Sequence, residues 1–267
     1  MANLQAARAS VSDRFVDKKP HPQNLLDLFD GEWSSAMPSQ SGLHVKPGYA
    51  ALFEDARITW ANTILGPFSG KTILELGPLE GGHSYMLHNY GADVIAIEGN
   101  AKAFLRCLCV KEIFGLSRVS FMLGNFMKFL EVDSRRFDVI IASGVLYHMT
   151  EPLQLLRKLV ARANRIFVWT HYFDATAISQ RNDAHLFQGT LMPLEKGASY
   201  YGIKKLYPQQ ALDWSGFSGG QEMSAVWMDK DSICRFFTDS GFEINMNFVH
   251  PHHPNGPSFA LCASRRS

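Results

Sequence analysis

The sequence predicts an α/β fold built on a parallel sheet with helices on both faces. Between residues 72 and 170, short apolar segments of strand length alternate with amphipathic helical segments. Such alternation is typical of parallel sheets that are covered on both sides. Near the C-terminus, "EINMNFV" and "SFALCAS" are joined by "HPHHPNGP", whose turn chemistry predicts an antiparallel hairpin that closes the sheet.

The individual elements follow in chain order. Residues 1–46 look irregular, and a helix is predicted over 47–65, which Pro47 starts and Gly66 ends. The first predicted strand contains Ile73, Leu74 and Leu76, and the next strands are predicted over 93–98, 119–123, 137–143 and 165–170. Helices are predicted over 82–90, about 101–114, the segment that Thr150 caps, and 229–242. The chain thus divides into an N-terminal arm and helix, 1–66, and a main domain, 67–267, with an insertion of no clean period at about 174–226.

Composition limits the classes of function. The chain has 267 residues, 46% of them apolar, and a net charge of +1, so a sizeable core is expected and the whole molecule has no electrostatic case for binding nucleic acid. No apolar run is long enough to span a bilayer, and the N-terminus lacks the apolar core of a signal peptide. The four cysteines, Cys107, Cys109, Cys234 and Cys262, have no zinc or redox spacing, so we expect reduced thiols in a cytoplasmic protein.

A glycine turn, "LELGPLEGG", follows the first strand of the predicted sheet, and parallel sheets bind ligands beyond the carboxyl ends of their strands. A tight turn without a ligand is one interpretation. A dinucleotide site is another, but Leu79 stands where the middle glycine would approach a pyrophosphate, and Glu75 would repel phosphates. S-adenosylmethionine fits better, because it carries an ammonium group, a sulfonium and a ribose but no phosphate. Glu98, 21 positions past Gly77, ends the next strand, where a carboxylate can accept both ribose hydroxyls.

Four segments between about 70 and 170 resemble class I S-adenosylmethionine-dependent methyltransferases in order and spacing: "LELGPLEGG", "VIAIEGN", "LGNF" and "FDVIIASGVLYHMTEP". The resemblance implies a methyltransferase domain over 67–267 with a Rossmann-like, doubly wound sheet of seven strands, the last of them antiparallel. It implies S-adenosylmethionine as cofactor and S-adenosylhomocysteine as product. The implied cofactor residues are Glu75, Gly77, Pro78 and Gly81 around the methionine moiety, Glu98 and Gly99 at the ribose, Asn125 and Phe126 at the adenine, and Ser143 and Gly144 beneath the methyl donor. Leu79 replaces a common glycine of the family, and Asn125 replaces a common aspartate.

The segment "GVLYHMTEP" is also similar to the subgroup that contains tRNA wobble-uridine carboxymethyl transferases. The neutral charge and the lack of an obvious basic stripe argue against a tRNA partner. The strongest local basic patch is "GIKKLYP", 202–208, which holds two lysines. RNA modification therefore stays an alternative rather than the main hypothesis.

Methyl transfer to an alcohol or phenol needs a base near neutral pH, and histidine is the natural choice. His148 and His171 follow the fourth and fifth predicted strands, so both are candidate bases, with a structural role as the alternative for His148. His250, His252 and His253 could suggest a metal, but a solvated turn is favoured, and we expect no metal site. A Ser/Asp/His triad is excluded because G-x-S-x-G is absent.

Further candidates concern the acceptor and a lid. Trp33 is either a lid aromatic or a peg that pins the arm, and Arg57 either grips the methionine carboxylate or is a solvated or salt-bridged arginine. The aromatic content of 174–226 predicts that this segment, with the arm around Trp33, forms a cap that covers the donor and determines the acceptor. The remaining substrate or lid candidates are Tyr147, Tyr172, Tyr200, Tyr201 and Trp214.

Three hypotheses for function follow. The first is methylation of a small molecule, with oxygen favoured over nitrogen as the acceptor atom. The second is RNA modification on the same core, and the third is a cofactor-binding protein without activity, such as a partner subunit. The sequence leaves the acceptor and the oligomeric state open, a homodimer being one option.

Overall fold

The structure is a computed structural model that describes residues 15–195, 197, 199–212, 220 and 222–266. Its centre is a seven-stranded sheet of order β11-β12-β7-β6-β3-β4-β5. These strands are β3 (Thr72–Leu76), β4 (Asp93–Glu98), β5 (Val119–Leu123), β6 (Val139–Ser143), β7 (Arg165–His171), β11 (Phe242–His250) and β12 (Ser258–Arg265). Strand β12 runs antiparallel to both of its neighbours, while the pairs within β7-β6-β3-β4-β5 are parallel. The predicted seven-stranded sheet with an antiparallel last strand is confirmed.

Helices cover both faces of this sheet. They are α2 (Ala56–Leu65), α3 (Gly82–Asn89), α4 (Ala101–Phe114), α5 (Phe126–Val132), α6 (Pro152–Arg162) and α9 (Lys230–Asp239). One apolar layer contains Leu155 and Phe236, and the other contains Ile58 and Leu87. Within the described ranges, no helix combines the length and the apolar character that crossing a membrane requires.

The predicted helix over 47–65 is wrong in its first half. Residues Pro47–Ala50 form strand β2, which pairs in parallel with β1 (Trp33–Ser35). The backbone carbonyls of Lys46 and Ala50 accept hydrogen bonds from the first strand's segment instead of from the next helical turn. The helix begins only at Ala56, where the Asp55 side chain accepts a hydrogen bond from the Arg57 backbone N–H, and Gly66 ends it as predicted. A short helix, α1 (Pro22–Asp27), precedes this pair of strands.

The start of α6 also differs from the prediction in one detail. Its N-cap residue is Glu151, not Thr150, and no side chain caps the helix there. Pro152 occupies the first position, where its missing N–H costs nothing.

The described residues of 174–228 form a small second sheet where the sequence showed no clean period. The segment contains α7 (Ala175–Ser179), β8 (Phe187–Pro193), β9 (Tyr201–Leu206), α8 (Gln209–Leu212) and β10 (Ser224–Met228), and the sheet is antiparallel with the order β10-β9-β8. The Val226 N–H donates to the Met149 carbonyl, and the Phe173 N–H donates to the Met228 carbonyl. The segment, which we call the cap, is therefore attached where β6 and β7 end.

Candidate functional site

The loop after β3 is held in an unusual backbone conformation. Gly77, Leu79 and Gly81 all have positive φ, with Leu79 at 57°, a conformation that L side chains rarely adopt. The Leu79 N–H donates to the Glu98 carboxylate at 3.0 Å, and this bond helps to fix the strained residue. Gly82 is required by close packing, because a Cβ there would lie 2.8 Å from the Leu52 backbone. Leu79, which replaces a common glycine of the family, therefore still adopts the positive φ that a glycine would have in this turn.

Glu75 is the penultimate residue of β3, Glu98 ends the adjacent strand β4, and both are buried. The Ser84 hydroxyl donates to Glu75, and burial raises the pKa of Glu75 while nearby His83 opposes the shift. Glu98 accepts from the backbone N–H groups of Leu79 and of Asn100, the latter at 2.8 Å. Burial raises the pKa of Glu98, and these backbone bonds oppose it. A carboxylate offers about four acceptor positions, so Glu98 keeps capacity for a further hydroxyl donor.

The space beside Glu98 is open. A Cβ on Gly124 would meet nothing within 4 Å, and one on Gly99 would meet only the Gly124 carbonyl oxygen at 3.6 Å. Asn125 is exposed and caps α5, with its Oδ1 accepting from the Met127 N–H at 2.8 Å. Phe126 is partly buried against the core. The predicted ribose and adenine residues thus lie at the ends of the adjacent strands β4 and β5, and their roles stay predictions.

Arg57 is a salt-bridged arginine, which is one of the two environments expected for it apart from a cofactor role. Its Nε lies 2.9 and 3.0 Å from the two carboxylate oxygens of Asp55, which also bonds His83 Nε2 at 2.8 Å. Burial would raise the pKa of Asp55, but the bonds from His83 and Arg57 hold it far below its usual value. The guanidinium lies 4.4 Å above the Trp169 ring. Trp169 in turn lies under Gly144, whose added Cβ would be 3.7 Å from it, so Arg57 is beside the end of β6.

His171 is buried and oriented by two backbone carbonyls. Its Nδ1 lies 2.8 Å from the Gly256 oxygen and 3.3 Å from the Pro257 oxygen. Carbonyl oxygens only accept, so Nδ1 carries the proton and Nε2 keeps its lone pair. Burial lowers the pKa of His171 to about 3, with His253 adding to the shift. The imidazole is therefore neutral at pH 7.

His148 lies close to the same place. Its Nδ1 is 3.3 Å from the Tyr207 hydroxyl oxygen, and burial, aided by Lys205, lowers its pKa to about 4. The Tyr147 ring lies between the two candidate bases, 4.1 Å from the His148 ring and 4.6 Å from the His171 ring. Burial raises the pKa of Tyr147. The structure thus brings Tyr147, His148 and His171 together.

An aromatic pocket surrounds His171. The Trp227 ring stacks on the imidazole at 5.3 Å and 8°, and the rings of Trp169 and His253 lie 5.1 and 5.0 Å from it. Lys205 reaches the far side of the cluster, with its Nζ 4.3 Å from the Trp227 ring. We call this set the aromatic pocket. Sequence reasoning missed Trp227 and Lys205 as site residues, although the apolar run "SAVWM" carries a strand signal.

Several predicted substrate or lid residues lie elsewhere. Trp33 is 0% exposed, and its indole N–H donates to the Leu26 carbonyl at 3.0 Å, so it is the peg and not a lid. Tyr172 is in the core, 5.6 Å from the Phe259 ring. The Tyr200 hydroxyl donates to Asp239 at 2.8 Å, and Tyr201 is 37% exposed. Trp214 is outside the described residues.

Glu80 links the loop to the N-terminal arm and was not predicted. Its buried carboxylate accepts from the backbone N–H groups of Ser34 and Ser35 at 3.0 and 2.7 Å. Arg106 Nε lies 3.6 Å from the same carboxylate. Strand β1 therefore braces the loop that joins β3 to α3.

Metal binding finds no support in the part of the chain that the structure describes. No group of three or more His, Cys, Asp or Glu side chains is arranged there to hold an ion. The four cysteines are free.

Comparison with known proteins relates this chain to methyltransferases. A family model described as "Methyltransferase domain" matches residues 67–201, about half of the chain. The tRNA U34 carboxymethyltransferase of Marinobacter nauticus is 33% identical over 102 residues, which is 38% of this chain and 31% of that protein. The enzyme of the same name from Colwellia psychrerythraea is 26% identical over 141 residues, or 52% and 42% of the two chains. The chain thus spans less than half the length of these curated relatives.

Two crystal structures share the fold. The N-terminal domain of EvdMO1, in the presence of S-adenosylhomocysteine and D-fucose, is 21% identical with a TM-score of 0.68, covering 92% of this chain and 95% of that one. Magnesium protoporphyrin IX methyltransferase from Synechocystis PCC 6803, with bound S-adenosylhomocysteine, is 18% identical with a TM-score of 0.51, covering 79% and 81%. Together with the family match and the seven-stranded sheet, these findings show that the chain belongs to the class I methyltransferases, the family whose methyl donor is S-adenosylmethionine.

Proposed function

We propose that this protein transfers the methyl group of S-adenosylmethionine to an oxygen atom of a small-molecule acceptor, with His171 as the proton acceptor. The observation that carries the proposal is the orientation of His171. Its Nδ1 donates to the Gly256 and Pro257 carbonyls, so Nε2 is left as an acceptor inside the aromatic pocket. A base for an oxygen acceptor needs such a free lone pair.

The cofactor, when bound, supplies a methyl group that is activated on a sulfonium. Glu98 would hold the ribose hydroxyls, because its carboxylate is buried and uses two of its acceptor positions on the Leu79 and Asn100 N–H groups. Glu75 would attract the methionine ammonium. Arg57, held by Asp55 beside Trp169, would bind the methionine carboxylate. The space beside Gly99 and Gly124 is open, which supports the placement of the cofactor's ribose next to Glu98.

His148 is the second candidate base. Its Nδ1 is within hydrogen-bond distance of the Tyr207 hydroxyl, whereas among the described residues no hydrogen bond engages His171 Nε2. His148 therefore fits a role in positioning Tyr207 or the acceptor better than the role of base. Burial keeps both imidazoles neutral at pH 7 and lowers their pKa values.

A small acceptor is favoured by the cap. The aromatic pocket includes Lys205 of β9 and Trp227 of β10, and β10 is attached at Met149 and Phe173, so the acceptor would be enclosed. The related fold of the EvdMO1 domain was crystallised in the presence of D-fucose, a small hydroxylated molecule. The cap is accordingly proposed to determine the acceptor.

The test is incubation with methyl-labelled cofactor and cell extract fractionated into metabolites, RNA and protein. We expect label in a metabolite. His171→Ala should lose turnover and retain affinity for S-adenosylhomocysteine by calorimetry, while His252→Ala, in an exposed turn, serves as the matched control. If His171→Ala and His148→Ala both keep wild-type turnover at every pH, no histidine base is used and nitrogen becomes the acceptor atom.

Transfer of a methyl or carboxymethyl group to tRNA is the second candidate. The similarity to tRNA U34 carboxymethyltransferases favours it, and the net charge of +1 opposes it. Label in the RNA fraction, with tRNA binding that weakens steeply as salt rises, would establish this function instead. Cofactor binding without turnover on any fraction would indicate a non-catalytic protein.

A further inference from the structure

The inner face of the cap sheet is apolar except for one lysine. On β9, alternate residues point to opposite faces, so Ile203 and Lys205 share a face while Lys204 has the other. In the register of the sheet, Trp227 pairs with Ile203, and Phe187 pairs with Lys205. Lys205 is 8% exposed, whereas Lys204 is exposed. The two neighbouring lysines thus have opposite environments.

The charge of Lys205 is incompletely balanced. Its Nζ lies 3.2 Å from an Asp183 carboxylate oxygen. The same carboxylate receives two hydrogen bonds from Arg181, at 2.7 and 3.1 Å, and Arg181 also donates to the Pro254 carbonyl at 2.7 Å. Asp183 is the only carboxylate that the described residues bring within 4.0 Å of either cation. Two positive groups therefore share one negative group.

Among the residues that the structure describes, the remaining surroundings of the ammonium supply no anion. Its Nζ lies 4.3 Å from the Trp227 ring and 5.0 Å from the Phe187 ring. His171 stacks on the same Trp227 ring and is neutral at pH 7, as is His148. An ammonium has three donors, and within the described ranges one hydrogen bond, to Asp183, uses them. Burial lowers the pKa of Lys205, although Asp183 opposes the shift.

We propose that Lys205 binds a carboxylate group of the acceptor, so that the small molecule whose hydroxyl is methylated with His171 as base also carries a carboxylate. The inference rests on the proposed function, since it assigns the chemical class of that acceptor. A buried cation is costly unless it is paired, and an anionic ligand would complete the charge balance that Asp183 alone leaves open. The aromatic faces around the ammonium would enclose the rest of the ligand.

A purely structural role for Lys205 makes a different prediction. If the lysine only ties β9 to Asp183, replacing it would change stability and leave acceptor selection intact. Methionine has a similar apolar stem, and Asp183 would keep its two bonds from Arg181. Lys205→Met should therefore fold. Lys204→Met removes the same charge from the adjacent residue and is the matched control, and Lys205→Arg keeps the charge.

The experiment uses the full chain with methyl-labelled cofactor and metabolites separated on an anion exchanger at neutral pH. Binding of S-adenosylhomocysteine and thermal unfolding are measured for each variant. We expect label only in molecules made from the retained, anionic fraction. Lys205→Met should raise the acceptor KM at least tenfold with cofactor affinity unchanged, while Lys204→Met stays within twofold of the wild type and Lys205→Arg retains most activity.

The outcomes test the acceptor class and the role of Lys205 separately from the proposed methylation. Label only in molecules from the unretained, neutral fraction would overturn the anionic acceptor and leave the proposed methylation standing. Unchanged acceptor KM in a folded Lys205→Met would overturn the role of the lysine. Normal cofactor binding with no labelled metabolite in any fraction would overturn the proposed function itself, and the acceptor class with it.

Discussion

Replacing Glu98 by alanine is expected to weaken cofactor binding while leaving the sheet intact. Glu98 ends β4 and is 8% exposed. Its carboxylate has two assignments: it accepts from the Leu79 and Asn100 N–H groups, and it would accept from the ribose hydroxyls. Alanine removes the ribose acceptor and also the bond that fixes the left-handed residue Leu79.

The magnitude follows from the number and type of these bonds. A hydrogen bond to a charged group contributes about 1.5–3 kcal/mol. In the variant, water can accept hydrogen bonds from the ribose hydroxyls, so part of the binding free energy of the two ribose bonds is retained. We therefore expect a loss of about 2–3 kcal/mol in cofactor affinity, which is roughly a 30- to 140-fold increase in Kd. Loosening of the loop at Leu79 acts in the same direction.

Calorimetric titration with S-adenosylhomocysteine measures this effect. Asp93→Ala is the matched control, because Asp93 is an exposed carboxylate at the opposite end of the same strand and pairs with Arg118 at 2.8 Å. The control should bind like the wild type. Unchanged affinity in a Glu98→Ala variant that unfolds at the wild-type temperature would refute the ribose assignment.

Three further predictions concern acid stability, the hairpin turn and the arm. Burial lowers the pKa values of His148 and His171 from 6.5 to about 4 and about 3, so the unfolded chain binds more protons than the folded one between these values. The free energy of unfolding should therefore fall by about 1.4 kcal/mol per pH unit for each histidine as the pH drops from about 6.5 toward those values. Urea unfolding at several pH values checks this, and an equal slope in His171→Phe would contradict it. Gly256→Ala should abolish turnover and keep calorimetric cofactor affinity, because the new Cβ would lie 2.8 Å from the Trp227 ring at a φ of 111°; wild-type turnover would contradict it. Glu80→Ala should speed proteolysis of the arm near residues 33–35 and weaken cofactor binding at least several-fold, since two backbone N–H groups lose their acceptor; wild-type cleavage and affinity would show that the brace is dispensable.

Much of the sheet could be predicted because buried parallel strands leave a strong signal in sequence. Residues 93–98, 119–123 and 101–114 agree with β4, β5 and α4 in both bounds. The error at 47–65 had a physical cause: Pro47 can begin a helix or enter an edge strand, and only the pairing with Trp33 decides. Local propensity cannot report a partner 14 residues away.

The site was predictable where topology alone brings residues together. Glu75, Glu98, Ser143 and His171 lie at or next to the ends of strands of one parallel sheet, and those ends share an edge. Glu80 was not predictable in this way, because its partners lie on an arm about 45 residues earlier in the chain.

The two lysines of the cap show a different limit. Both stand in "GIKKLYP" and look equally basic in sequence. Only the register of β9 against β10, with Lys205 opposite Ala225, buries one and exposes the other. A shift of one residue would exchange their faces, so the presence of a cation in the pocket depends on strand pairing that no local pattern specifies.

Under the proposed function, the protonation states of the pocket also bear on which kind of oxygen would be methylated. His171 is neutral because burial lowers its pKa to about 3, and an imidazole of such low pKa gives little driving force for removing a proton from an alkyl alcohol. A nearby cation favours the ionised form of an acidic group, and Lys205 contacts the same Trp227 ring as His171 does. An acidic hydroxyl would thus need less from the base than an alkyl alcohol would. Aromatic walls, a weak base and an incompletely balanced ammonium together favour acceptors whose oxygen is already acidic.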